Sequence, residues 1–312
     1  MKTLKIPGKI AVKRALGGTN QTPGIGKTAL IYFFLIGIGF IYIYPVLYMV
    51  INSIFSPDDL VDPAVTWIPT AAYFGNYIKA WNTLEFGKSF FNSLYTSILP
   101  TLFQTAATAL IGYGFARFKF PLKNLWLALV VMTFVIPSQI TLVPRYIMYH
   151  SYGFINTPLP AFVPALLGQG IKSAVFILIF YQFFRSYPAA LDEAAAIDGA
   201  SKWKIFYKIA LPMASSATVL SILFSLVWYW NETSQSSLYF GSVISTLPMK
   251  LNNFAASYQS LYNQSNLSSF NRLNESISLA GTALSVLPLI VLYLCLQKQF
   301  VESIERSGIT GE

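Results

Sequence analysis

The chain has 312 residues, of which 54% are hydrophobic, 16% aromatic and only 11% charged. Soluble domains carry charge on about a quarter of their residues, so this composition excludes an ordinary soluble protein and reads as an integral membrane protein. The formal charge of +9 is spread as short runs between apolar tracts, which excludes the clustered basic face of a nucleic-acid binder, while a single cysteine (Cys295) and a single histidine (His150) support neither an internal disulfide nor a tetrahedral metal site.

Residues 1–27 are basic and Gly-rich without an apolar core, which predicts a cytoplasmic tail rather than a signal peptide. Within them TPGIGKT looks like the end of a phosphate-binding loop. Gln21, however, stands where the GxxxxGK[ST] pattern needs glycine, and no strand precedes it. The first charge-free tract, 28–57, predicts a span over 28–52, since a crossing helix needs about 20 apolar residues. AAYFGNYIKAWNTLEFGKSFF follows, with the aromatic and lysine anchors of an amphipathic helix on the outer membrane surface.

Spans two and three are expected over 90–116 and 124–145. The third contains VIPSQITLVP, where Pro137 and Pro144 frame Gln139 and Thr141. Prolines inside a span free carbonyls, which are tolerated beside a cavity or a neighbouring helix; a simple packing kink is the alternative. Residues 146–184 read as an outer hairpin and one interrupted span, 161–184, broken at Gly168-Gln169-Gly170. Lys172, just after the break, places an ammonium where insertion costs about 2.5 to 3.5 kcal/mol, so it should face water, a partner or a pathway, or snorkel to the surface.

LDEAAAIDGASKWKIFYKIALP is the polar exception between two apolar spans. Its composition predicts a helix capped by Ser186, with Pro188 in the first turn, ending at Gly199 as a left-handed residue. Ser201 caps a second helix, whose Trp203, Ile205, Phe206 and Ile209 offer an apolar side to the membrane interface. The pair forms an elbow over 186–212. Span five, 211–231, ends in WYWNE; Trp228, Tyr229, Trp230, Asn231 and Glu232 are either interfacial anchors or ring and polar partners for a sugar. From Asn252 to Ser276, fourteen of twenty-five residues are Asn, Ser or Gln, which predicts a polar outer loop before the last span, 277–297, and a cytoplasmic tail, 301–312.

With the N-terminus inside, fifteen of the 21 lysines and arginines fall on inner segments and six outside or within the membrane. That asymmetry favours six spans with both termini cytoplasmic, and it puts the elbow on the inner side.

Glu193-Ala194-Ala195, three residues, Gly199, nine residues, then Ile209-x-Leu211-Pro212 resembles the EAA-x3-G-x9-I-x-LP signature of permease subunits in ATP-binding-cassette importers. NSLYTSILPTLFQTAATALIGYGFARFKFP, VIPSQITLVPRYIMYHSYGFINT and the tail LPLIVLYLCLQKQFVESIERSGITG are similar to the carbohydrate importers of the maltose type, in particular the shorter, G-type permease subunit. The resemblance implies an all-α membrane protein with the six-helix type I importer fold, a permease domain over 28–300, in a bacterial cytoplasmic membrane. It implies a heterodimer with a second permease, two ATPase subunits docked on the elbow, and an extracytoplasmic binding protein. The chain itself is then no enzyme and binds no cofactor; the ATPases use ATP and Mg. Glu193, Ala194, Ala195, Asp198 and Gly199 are the expected coupling residues, and Gln139, Lys172, Trp228, Trp230, Asn231 and Glu232 the expected substrate path. If Lys172 and Arg145 face that path, the saccharide carried is acidic. The polar loop is longer than the family pattern. Elbows also occur in importers of other solutes, so the carbohydrate assignment rests on the flanking segments. A secondary transporter would place ionisable relays in several spans, whereas only Lys172 lies inside one here.

Overall fold

The structure is a computed structural model that describes residues 25–262 and 272–308; the basic tail up to residue 24 and the centre of the polar loop, 263–271, lie outside the described residues. Every regular element among them is helical. In chain order these are α1 (Ile25–Asn52), α2 (Gly75–Thr83), α3 (Phe86–Arg117), α4 (Lys123–Val135), α5 (Ser138–Ser151), α6 (Leu159–Leu166) and α7 (Ser173–Ser186). Then come α8 (Ala189–Ile197), α9 (Lys202–Met213, with a π-helical turn over Phe206–Ala210), α10 (Ser215–Asn231), α11 (Ser234–Phe240), α12 (Leu247–Asn252), α13 (Phe254–Tyr262) and α14 (Glu275–Gly308).

Three helices are each long and apolar enough to cross a membrane: Gly26–Asn52, Phe86–Arg117 and Glu275–Lys298. The total rises to six if each of three bent helix pairs is one span. One bent pair falls on the span expected over 124–145, breaking at the first of its two prolines. It is α4 and α5, which meet at 98°. Pro137 has no N–H to continue the ladder, and the residue before it, Ile136, is driven to ψ 121°, so α4 stops there. The interrupted segment 161–184 is observed as α6 and α7 with irregular backbone between them.

The chain divides into two compact units. One holds residues up to 76 together with 274–283. Here α1 presents apolar side chains on all sides, and the loop after it is tied down by polar bonds. Asn76, fully buried, donates its amide to the carbonyls of Ser53 (2.9 Å) and Phe55 (2.8 Å). The Thr70 hydroxyl donates to Asp59 Oδ1 at 2.6 Å, and Ser56 and Asp59 bond each other's backbone N–H groups.

The other unit, residues 77–273 with 284 onward, is built round α3. Its buried face is small and polar: Ser93, Thr96, Ser97, Gln104, Thr108 and Gly112 recur at three- and four-residue steps. The hydroxyls satisfy themselves on carbonyls one turn back, as Ser93 does on Ser89 (2.8 Å) and Thr108 on Gln104 (2.7 Å). Small residues let backbones approach where apolar burial gives no drive. Gly112 is the tightest point, since a Cβ there would lie 2.6 Å from Phe180 Cβ and 2.9 Å from Tyr181 N on α7.

Candidate functional site

Two sites emerge in the larger unit. The first is a cavity of about 490 Å³ walled by α4, α5, α6, the irregular 167–172 segment, α7, the end of α10, and α11. Gln139, Lys172 and Glu232, three of the residues expected on the path, line it, and so does Arg145. Trp228 lies beside it, with the Lys172 ammonium 4.5 Å from its ring centroid. Trp230 is buried elsewhere, at 4% exposure, and Asn231 is exposed and donates to the Val227 carbonyl one turn back. Glu232 accepts the backbone N–H of Gln235 at 2.8 Å, which caps the start of α11.

The irregular segment is the structural centre of the cavity. Gly168 (φ +71°) and Lys172 (φ +52°) are both left-handed; between them Gln169 N–H reaches back to Pro164 O (2.7 Å) and Gly170 O accepts the Ser173 N–H (3.2 Å), while both backbone groups of Ile171 turn to other helices for partners. Side chains from other helices supply them. Tyr229 OH, on α10, accepts the Ile171 N–H at 3.2 Å, and Gln104 Nε2, on α3, donates to the Ile171 carbonyl at 3.0 Å. Tyr229 OH in turn donates to Gln104 Oε1 (2.9 Å), and Gln104 Nε2 also donates to Ser225 Oγ (2.9 Å). Gly170 lies inside this clasp, where a Cβ would fall 2.1 Å from Gln104 Oε1 and 2.2 Å from Tyr229 OH. Backbone freed within a membrane must find protein partners, and this clasp provides both for Ile171. Gln104 was invisible as a site residue in the sequence, because a lone amide in an apolar span carries no spacing signal.

The second site is the elbow. None of the residues of α8 is buried, and Glu193, Ala194, Asp198 and Gly199 are exposed, with Ala195 partly covered. The helix ends as expected: Gly199 is left-handed (φ +78°), its N–H bonds to Ala196 O (3.1 Å), and Ala200 N–H bonds to Ala195 O (2.9 Å). Ser201 Oγ accepts the Lys204 N–H, capping α9. Two expectations are corrected. Ser186 does not cap α8, because Tyr187 is extended before Pro188 and the Ser186 hydroxyl closes α7 on Phe183 O instead. Ile205 and Phe206 do not face the membrane interface; they are buried, with the Phe206 ring 5.1 Å from that of Tyr113 on α3, and Trp203 alone of the four is strongly exposed.

One polar pin fixes α8. Arg117, at the end of α3, lies 3.1 Å from Asp192 Oδ2, stacks its guanidinium 3.9 Å over the Tyr187 ring, and donates through Nη2 to the Tyr187 carbonyl (2.8 Å). The Tyr187 hydroxyl donates to Asp192 Oδ1. Arg117 Nε has no aligned hydrogen-bond acceptor, so its contact with Asp192 is a charge contact rather than a fork. Burial pushes the Asp192 carboxyl above the usual aspartate range, and Arg117 and Lys202 only partly oppose it.

Comparison with known proteins places this geometry. A probable ABC transporter permease protein, YurM, of Bacillus subtilis is 27% identical over 92% of this chain and 90% of its own length. The melibiose/raffinose/stachyose import permease protein MelC of Bacillus subtilis is 28% identical over 80% of this chain and 86% of its own. Among solved structures, a bacterial ABC transporter involved in the import of the acidic polysaccharide alginate matches with a TM-score of 0.72 at 18% identity, over 88% of this chain and 96% of that one, and so shares the fold. Residues 108–306, which hold the clasp glycine, the pin and the whole elbow, match the model of the binding-protein-dependent transport system inner membrane component family, and the chain belongs to that family.

Proposed function

We propose that this chain is one transmembrane half of an ATP-driven importer for oligosaccharides. It pairs with a second permease in a bacterial cytoplasmic membrane, crosses six times with both termini inside, and takes its saccharide from an extracytoplasmic binding protein. Two partner ATPases bind ATP and Mg and dock on the elbow.

The elbow is the observation that carries this reading. An isolated nine-residue helix has little stability of its own, yet α8 has no fully buried residue and is held at its base by Arg117. A helix kept rigid but uncovered is suited to a groove in another protein. The exposed Glu193 gives that groove a charge, and Ala194 and Ala195 let it close tightly. Because α9 packs through Phe206 onto α3, movement of the elbow is passed to the helix that clasps the cavity, as rigid-body switching requires.

For the solute, a relative that carries melibiose, raffinose and stachyose and a fold neighbour that carries alginate support a saccharide. The cavity lining of Gln139, Lys172 and Glu232, with Trp228 beside it, has the polar and ring groups that sugars use. The test is purification of the complex in mild detergent. A second permease and an ATPase should accompany the chain and be lost from a Glu193→Ala, Gly199→Leu variant; a chain that purifies alone under every mild condition contradicts the importer reading.

A further inference from the structure

The charges of the cavity do not balance. Three charged side chains line it: Arg145, Lys172 and Glu232. Glu232 is engaged in capping α11. Among the described residues the ion pairs are Arg117 with Asp192 and Lys250 with Glu85, both away from the cavity, so neither Arg145 nor Lys172 meets a carboxylate. The Lys172 ammonium lies 4.5 Å from the ring centroid of Trp228, a contact that orients an ammonium without neutralising it.

Two cations against one carboxylate leave the cavity lining with an excess of positive charge, which draws an anionic guest. The position of Lys172 is fixed rather than adaptable. It is the left-handed residue that starts α7, and the residue before it is pinned on both backbone groups by Gln104 and Tyr229. A cation presented on so constrained a backbone is preorganised for a ligand, and Arg145 adds a planar donor fork suited to a carboxylate.

We infer that the saccharide moved through this cavity is anionic, a uronate-bearing oligosaccharide whose carboxylates pair with Arg145 and Lys172. This rests on the importer reading above. A neutral sugar would leave both cations uncompensated when it displaced the water around them.

The experiment uses proteoliposomes of the complete importer with its binding protein. Uptake is measured for trigalacturonate, for the same trisaccharide as its methyl ester, which keeps the shape and loses the charge, and for maltotriose. The acid should be taken up at least about tenfold faster than its ester, the effect of one charge-assisted contact. In Lys172→Gln and Arg145→Gln that acid-to-ester ratio should fall towards one, and Lys172→Arg should restore it. Equal uptake of acid and ester, uptake of maltotriose alone, or variants that lose acid and ester in proportion each overturn the charge assignment and leave the importer standing. Uptake of none of the three overturns the oligosaccharide reading itself, and the charge assignment with it.

Discussion

Arg117 holds Asp192 at 3.1 Å, and through that contact the end of α3 grips the elbow helix. Because α3 also supplies Gln104 to the cavity clasp, one helix connects the elbow to the cavity. Arg117→Gln leaves a half-buried carboxylate without its cation, which costs about 1–3 kcal/mol. Asp192→Asn keeps the size and the acceptor for Tyr187, so its effect should be smaller. The expected outcome in proteoliposomes is more ATP hydrolysed per substrate moved, worse for Arg117→Gln than for Asp192→Asn. A lowered unfolding midpoint with an unchanged coupling ratio would confine the pin to a structural role.

Gly199 separates folding from docking. Its φ of +78° penalises any side chain by about 1–2 kcal/mol, yet a Cβ there meets nothing within 4 Å. Gly199→Ala and Gly199→Leu should therefore insert and fold alike. If an ATPase cleft closes over this turn, leucine should weaken co-purification of the ATPase far more than alanine does. Equal loss in the two variants would mean that backbone strain alone is responsible.

How far the sequence could be read depends on which interactions are local. Gly199, Ser201 and the exposed Ala194 were legible because caps and left-handed turns are set by residues a few places apart. The clasp was not, since Gln104, Ile171 and Tyr229 come from three helices and only tertiary packing brings them together. The bend at Pro137 was half legible: proline announces a break, but whether a span kinks slightly or turns by 98° depends on what fills the space beside it. Phe206 was misread for a related reason. An aromatic on an amphipathic helix suits a membrane interface and a core equally, and Tyr113 decides it.

The loop after α1 should respond to acid through Asp59. The hydrogen bond from the Thr70 hydroxyl is the largest cause that holds its carboxyl below the usual 3.8, with further help from Ser56. A lowered folded-state value means the lock contributes stability above the unfolded value and loses it as pH falls through the folded one. Thr70→Val removes the main cause. Amide exchange in residues 53–74 should then rise at a higher pH on acidification than in the parent. An identical acid profile in the two proteins would show that Asp59 does not hold the loop.

The clasp makes the sharpest demand, because Gln104, fully buried, and Tyr229, at 7% exposure, leave no water to replace what a mutation removes. Tyr229→Phe strips the acceptor from Ile171 N–H and the donor from Gln104 Oε1, and each buried group left unsatisfied costs about 1–3 kcal/mol. Gly170→Ala should be as harmful by another route, since its Cβ would overlap Gln104 Oε1 and approach the Ala165 Cα at 3.1 Å. The two routes share Gln104. In Gln104→Ala the space for the Gly170 Cβ opens, although Tyr229 OH still crowds it at 2.2 Å. Gly170→Ala combined with Gln104→Ala should therefore destabilise by less than the sum of the single changes, by about 0.5–3 kcal/mol, in detergent unfolding of the purified complex. Additivity would mean that the irregular segment relaxes away from the clasp, and then Lys172 is not held rigidly towards the cavity.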